Sequence, residues 1–135
     1  MKELNEIIDR NKSLEEVKLM KPLVWAYIGD SIYEIFIRMN LVNTTNLDPH
    51  RLHIECIKYV KAKAQAEKLL KIESSLTEEE KDIVRRGRNA QAHHIPKNAE
   101  LMDYKYATAL EALIGYLYLT KQDERLKEIL NMCLN

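Results

Sequence analysis

Apolar residues recur along the chain at the three- and four-residue spacing of helices, and polar stretches separate these segments. The segment Pro22–Leu41 is apolar on nearly every side, which predicts a central helix with a proline in its first turn. A second strongly apolar helix is predicted at about Ala99–Thr120. The last predicted helix is amphipathic, and its apolar positions are Leu126, Ile129, Leu130 and Cys133.

Two capping patterns mark where further helices begin. Ser13 with Glu16, and Thr77 with Glu80, have the S/T-x-x-E form of a capping box. In such a box the two side chains satisfy backbone N–H groups that a helix start leaves without partners. We therefore expect a short helix from about Leu14 and another helix directly after Thr77.

The boundaries of the middle helices are predicted from proline and glycine. Asp48 followed by proline predicts a long helix that continues to about Ile72. Gly87 is expected to end or bend the next helix. Pro96 and the fading periodicity indicate that residues 88–98 form a loop.

Composition agrees with this helical pattern. The 135 residues include only three glycines and three prolines, and no β-hairpin signal is visible. The apolar fraction of 46% and the charged fraction of 31% are typical of a soluble globular protein. We therefore predict one all-α domain that spans residues 1–135.

Charge and cysteine content narrow the classes of function. The formal net charge is zero, so a polyanionic partner must be met by a local basic patch. Cys56 and Cys133 belong to no CxxC pair, which predicts free thiols in a reducing cytoplasm. Asp30 and Glu34 interrupt the longest apolar run, so no membrane-spanning segment is expected.

A carboxylate lies within each of the two most apolar helices, Asp30 in one and Glu111 in the other. Burial of an ionised carboxylate costs several kcal/mol unless something compensates it. Either acid could pair with a lysine or arginine, or could lie on an exposed strip of its helix. Gly29 and Gly115 suggest instead that helices or a ligand approach closely there. Two facing carboxylates would form a hard-oxygen site suited to Mg²⁺, for which Mn²⁺ could substitute.

Glu34 follows Asp30 by four residues and therefore shares its helix face. It could be a third metal ligand or a structural partner. The spacing alone favours the structural role slightly.

Two sequence motifs carry a resemblance to a known family. Ala26–Ser31 (AYIGDS) resembles the E-x-x-E-F-L-G-D-[AS] motif of ribonuclease III catalytic domains. Thr108–Leu119 (TALEALIGYLYL) is similar to the later D-x-x-E-A-L-I-G-A-x-Y-L motif of that family. The resemblance implies the all-helical endonuclease domain of the family, which hydrolyses phosphodiester bonds in double-stranded RNA with divalent metal.

Further segments resemble the stand-alone bacterial branch of the family, Mini-ribonuclease III. They are Ala62–Glu67, Arg86–Ala90 and Pro96–Asn98. The chain also ends soon after the catalytic motifs, which leaves no room for a double-stranded-RNA-binding domain. This resemblance implies maturation of the large-subunit (23S) ribosomal RNA precursor in the cytoplasm.

The chain departs from the larger family members at the metal site. Leu23, Ala26 and Thr108 occupy positions where those members have acids. Only Asp30 and Glu111 carry over as catalytic residues and metal ligands, so the number of bound metal ions stays open. Thr108 lies one turn before Glu111 and could hold a metal-bound water.

The family resemblance also implies a homodimer in which two active sites lie along one RNA groove. The signature helix contributes to the interface, so the apolar residues around Trp25, Tyr27 and Ile28 are expected to lie partly in it.

A basic segment offers candidate contacts for RNA phosphates. Residues 85–98 contain no acid, although a solvated helix end would also favour cations because of the helix dipole. The predicted RNA-binding residues of this segment are Arg85, Arg86, Arg88, Asn89, His93, His94 and Lys97. Lys63, on the preceding helix, is a weaker candidate for the same role.

Two classes of function therefore compete. The first is a metal-dependent endoribonuclease that acts on double-stranded or structured RNA. The alternative is a non-catalytic RNA-binding or ribosome-associated module on the same scaffold, which the loss of family acids would favour.

Overall fold

The computed structural model describes residues 8–90 and 100–135. All regular secondary structure in these residues is helical, which confirms the predicted all-α class. The helices are α1 (Leu14–Leu19), α2 (Pro22–Thr44), α3 (Pro49–Val60), α4 (Ala62–Ile72), α5 (Glu78–Asn89), α6 (Leu101–Leu119) and α7 (Asp123–Leu134), with a 3₁₀ turn at Glu73–Ser75. Within the described ranges, no helix is both long enough and apolar enough to cross a bilayer.

The predicted helix starts are confirmed by their caps. Ser13 forms a capping box with Glu16 at the start of α1, and Thr77 forms one with Glu80 at the start of α5. Asp48 caps α3 by accepting a hydrogen bond from the N–H of Arg51. Each cap satisfies backbone donors that have no partner within the helix.

The prediction of one long helix from Pro49 to about Ile72 is wrong. The chain breaks at Lys61, which is extended (φ −64°, ψ 152°) and separates α3 from α4. The break lets α3 pack against α2 while α4 packs against α6. Lys61 has no glycine or proline beside it that would end a helix locally. We therefore attribute the break to the tertiary contacts of the two helices, which override the local helix propensity.

Gly87 does not end its helix, because α5 continues through it to Asn89. A Cβ atom at Gly87 would lie 2.8 Å from Cβ of Ala112 and 3.0 Å from Cα of Ala109. Glycine at this position therefore lets α5 approach α6 closely. Residues 91–99, which hold most of the predicted loop, lie outside the described residues.

Helix α6 is the centre of the core. Its side chains at Leu110, Leu113, Ile114 and Leu117 are fully buried. They pack in a large apolar cluster with residues from α2, α4 and α7. A helix buried on nearly all sides is what its unbroken apolar sequence predicts.

A smaller apolar cluster surrounds Trp25, which is completely buried. Its indole N–H donates to the backbone oxygen of Val17 at 2.8 Å, and its ring meets the Tyr116 ring edge-on with centroids 5.2 Å apart. The expectation that Trp25 lies partly in a subunit interface is therefore wrong, because its side chain belongs to the core. Its neighbour Tyr27 is 77% exposed.

Helices α2 and α6 cross with their backbones in contact at two glycines. A Cβ atom at Gly29 would lie 1.8 Å from the backbone oxygen of Glu111. A Cβ atom at Gly115 would lie 1.7 Å from the backbone oxygen of Trp25. The two glycines thus permit a crossing that no other residue would allow, as the sequence suggested.

Candidate active site

The glycine crossing brings the two predicted catalytic acids together. Asp30 follows Gly29 on α2, and Glu111 supplies the backbone oxygen that Gly29 faces on α6. Asp30 is exposed and Glu111 is partly buried. Their carboxyl groups lie within hydrogen-bonding reach of each other.

The electrostatics of this pair are unfavourable in the absence of a cation. Burial raises the pKa of Glu111 to about 8, with further contributions in the same direction from the charge of Asp30 and the hydrogen bond to it. A hydrogen bond from Gln65 lowers this pKa by a smaller amount. The high pKa of Glu111 arises because its carboxyl group is shielded from water and lies close to a second negative charge.

Neither acid has a lysine or arginine partner among the ion pairs of the described residues. The sequence left two simpler explanations open for the carboxylates, namely charge pairing and solvent exposure. Charge pairing is not seen among the described residues. Solvent exposure accounts for Asp30 but does not account for the partly buried Glu111.

The donor set of the pair fits a divalent cation with few protein ligands. Mg²⁺ prefers carboxylate oxygens and is commonly held by one or two carboxylates together with waters and substrate phosphates. Within the part of the chain that the structure describes, no three His, Cys, Asp or Glu side chains form a possible metal-binding group. Asp30 and Glu111 would therefore hold the ion as a pair.

The two further candidates near the pair have partners of their own. Glu34 lies 3.6 Å from Arg38 in an exposed ion pair one helical turn apart, which agrees with a structural role. Thr108 is buried, and its hydroxyl donates to the backbone oxygen of Tyr104 at 2.9 Å. That hydroxyl keeps its lone pairs available to accept a hydrogen bond from water.

A third side chain, missed in the sequence analysis, reaches the carboxylate pair from α4. Gln65 is 3% exposed, and its amide nitrogen Nε2 lies 3.4 Å from Oε2 of Glu111. The same nitrogen donates to the backbone oxygen of Val60 at 2.7 Å. The sequence held one signal for this role, because Gln65 shares the apolar stripe of α4 with Leu69 and Ile72.

The predicted RNA-binding arginines of α5 have different surroundings. Arg85 is paired with Asp82 on the same helix. Arg86 places its guanidinium carbon 4.7 Å from the centre of the Trp25 ring, which is a cation–π contact.

Arg88 and Arg85 line a surface depression next to Lys81, at the end of α4 and the 3₁₀ turn. Asn89 and Lys63 are exposed, at the last turn of α5 and the first turn of α4. The remaining predicted residues lie outside the described part of the chain, namely His93, His94 and Lys97.

The helical fold is that of a ribonuclease III domain, and the carboxylate pair lies at its central crossing. The sequence model of the Ribonuclease III domain family matches residues 23–122. The Mini-ribonuclease 3 of Thermoanaerobacter sp. (strain X514) is 52% identical over 118 residues, which cover 87% of this chain and 83% of that relative. The Mini-ribonuclease 3 of Clostridium tetani (strain Massachusetts / E88) is 46% identical over 123 residues, which cover 90% and 81%. The chain therefore belongs to the ribonuclease III family, in its Mini-ribonuclease 3 branch.

A solved structure supports the same fold. The crystal structure of a Fusobacterium nucleatum protein superimposes with a TM-score of 0.79 and is 35% identical in sequence. The match covers 87% of this chain and 94% of that one. Family membership makes the chain an endoribonuclease of the ribonuclease III type, so the alternative of a non-catalytic module is not supported.

Proposed function

We propose that this endoribonuclease hydrolyses phosphodiester bonds in double-stranded or structured RNA at Asp30 and Glu111. The observation that carries the proposal is the pair of carboxylates at the α2–α6 crossing, since no lysine or arginine among the described residues neutralises it. One catalytic domain over residues 1–135 would hold the whole site.

Asp30 and Glu111 would hold a divalent cation, Mg²⁺ or Mn²⁺. When bound, such an ion activates water and stabilises negative charge on a phosphoryl group. Asp30 is exposed, so its carboxylate is accessible to an RNA phosphate, whereas Glu111 is fixed on the most buried helix. The hydroxyl of Thr108, one turn before Glu111, would accept a hydrogen bond from water in the site.

Metal removal tests this proposal directly. Cleavage of a long RNA duplex should occur in Mg²⁺ or Mn²⁺ and stop when EDTA is added. The same assay on a 23S ribosomal RNA precursor would test the physiological substrate that the sequence resemblance implies. The cytoplasm, where this precursor is made in bacteria, would be the site of action. Cleavage that persists in EDTA would exclude the metal-dependent mechanism.

We infer that the basic side of α5 contacts RNA phosphates. Lys81, Arg85 and Arg88 are spaced four and three residues apart, so they share one helix face around the surface depression. The ion pairs of Lys81 and Arg85 are with exposed acids on the same helix, and such pairs contribute little. They would therefore exchange readily for phosphate. We propose Lys63, Arg86 and Asn89 as further RNA contacts on other faces, and we propose His93, His94 and Lys97 from their sequence alone, because they lie outside the described residues.

Arg88→Gln should weaken duplex binding in Ca²⁺ or EDTA and lower the slope of log K against log salt by about 1. The reason is that one fewer phosphate is neutralised, so about one fewer counterion is released. Fluorescence anisotropy at several salt concentrations measures both effects. Lys127→Gln, an exposed lysine on α7, is the matched control and should bind as the wild type does. An unchanged salt slope for Arg88→Gln would remove this residue from the RNA surface.

A homodimer is the assembly that we propose for this catalytic domain. Helix α2 exposes several large apolar side chains along its length, namely Val24, Tyr27, Ile35, Met39 and Val42. Exposed apolar surface of this kind is typical of a protein interface. Sedimentation equilibrium should give twice the monomer mass, and a monomer at micromolar concentration would contradict the proposal.

A further inference from the structure

Gln65 is a buried polar side chain whose position in the core has no structural explanation so far. Three polar or charged residues are buried in the described part of the chain, namely Gln65, Glu80 and Thr108. Glu80 is paired with Arg125, and Thr108 donates to its own helix. Only Gln65 directs its donor at the proposed catalytic carboxylates.

The orientation of the Gln65 amide is fixed by its neighbours. The backbone oxygen of Val60 can only accept a hydrogen bond, so the atom 2.7 Å from it must be the NH₂ group. The second hydrogen of that nitrogen is then available to Oε2 of Glu111 at 3.4 Å. A flipped amide would place its oxygen against two acceptors.

The oxygen of the amide has different surroundings from the nitrogen. Oε1 of Gln65 is buried and has no partner among the described residues. A buried acceptor without a partner costs free energy, whereas methionine or leucine would fill the same space without this cost. The two hydrogen bonds of the amide nitrogen are what distinguishes glutamine from those residues at this position.

These two bonds join three elements. Val60 is the last residue of α3, Gln65 lies in the first turns of α4, and Glu111 lies on α6. The extended residue Lys61 turns the chain between α3 and α4, and the side chain of Gln65 reaches back across this turn to Val60. The turn thus anchors the amide that faces the carboxylate.

We propose that Gln65 is a positioning residue, whose amide holds the Glu111 carboxylate in the orientation that lets it bind a divalent cation together with Asp30. This proposal rests on the proposed function of the two acids. A glutamate side chain has three rotatable bonds, and one fixed donor at Oε2 would restrict the orientations of the carboxylate and leave Oε1 free of that bond. Hydrogen bonds to ligating side chains commonly serve this purpose in metal sites.

The test is Mn²⁺ binding by Gln65→Met, which keeps the length of the side chain and removes the donor. Isothermal titration with Mn²⁺ alone should show an affinity about 10- to 100-fold below that of the wild type. In duplex cleavage at fixed Mn²⁺, kcat should fall by a similar factor, while KM for RNA should change by less than about twofold. Gln65→Leu offers a second donor-free side chain if methionine impairs folding.

Leu69→Ala is the control for a merely structural effect. Leu69 is fully buried on α4, one turn after Gln65, so its truncation should lower the melting temperature and leave Mn²⁺ affinity unchanged. Equal loss of Mn²⁺ affinity in Leu69→Ala and Gln65→Met would overturn the positioning role, as would wild-type affinity and kcat in Gln65→Met.

Glu111→Gln separates this proposal from the function on which it rests. Loss of Mn²⁺ binding and cleavage in Glu111→Gln, with no loss in Gln65→Met, would reject Gln65 alone. Wild-type binding and cleavage in Glu111→Gln would instead reject the proposed site itself.

Discussion

Asp30→Asn should lower kcat for duplex RNA cleavage by at least about 1,000-fold, which corresponds to about 4 kcal/mol of transition-state stabilisation. The reason is that asparagine keeps the shape of the side chain but supplies no negative charge to a cation. Asp30 is exposed, so its replacement should leave the melting temperature within about 2 °C of the wild type. Single-turnover cleavage in Mg²⁺ and circular dichroism on the same preparation measure the two quantities.

Glu34→Gln is the matched control for Asp30→Asn, because Glu34 lies one turn further along the same helix and is paired with Arg38. It should cleave RNA at close to the wild-type rate. A loss comparable to that of Asp30→Asn would assign Glu34 to the metal site. An active Asp30→Asn enzyme would show that the carboxylate pair is not the catalytic centre, and an unfolded one would make Asp30 a structural residue.

Gly115→Ala should destabilise the fold by about 3 kcal/mol or more. Alanine is ordinarily favoured over glycine inside a helix by about 1 kcal/mol. At this position, however, its Cβ would lie 1.7 Å from the backbone oxygen of Trp25, and a backbone atom cannot rotate away. The helices α2 and α6 would have to separate, at a cost at the upper end of that known for overpacked cores. Urea unfolding monitored by circular dichroism gives the free energy of unfolding.

Gly87→Ala provides a graded comparison at the contact between α5 and α6. Its added Cβ would meet the Cβ of Ala112 at 2.8 Å, so a small shift of α5 relieves the contact. We expect a loss of about 1 kcal/mol, because the gain in helix propensity offsets part of the crowding. Equal stabilities of Gly115→Ala and wild type would contradict the close crossing of α2 and α6.

The sequence suggested the approach of Asp30 to Glu111 but left charge pairing and solvent exposure open as alternatives. Asp30 directly follows Gly29 and Glu111 lies one turn before Gly115, and a costly glycine in a helix interior indicates close packing. Helix starts at Ser13, Asp48 and Thr77 were also predictable, because a cap depends on side chains only three residues apart. The helix caps are local features, and the close approach of the two helices follows from a strong sequence pattern.

Other features depend on contacts between distant segments and were not predictable in this way. The break at Lys61 has no local signal, since it arises from the different partners of α3 and α4. Trp25 was expected partly in an interface because the family resemblance implies that the signature helix contributes to one, and only the fold shows which side of α2 is covered. Gln65 was noted only as part of a family-like segment, since its role depends on an acid 46 residues further along the chain.

The buried Trp25 also gives the enzyme an intrinsic fluorescence probe. It is the only tryptophan in the chain, and its backbone oxygen faces Gly115 at the joint that carries the two acids. Arg86, from a different face of α5 than Lys81, Arg85 and Arg88, places its guanidinium over the ring. The tryptophan fluorescence of the wild-type protein therefore arises from a single residue, which lies between the α2–α6 crossing and the guanidinium of Arg86. A structural change at the crossing or at Arg86 should alter this emission without any added label.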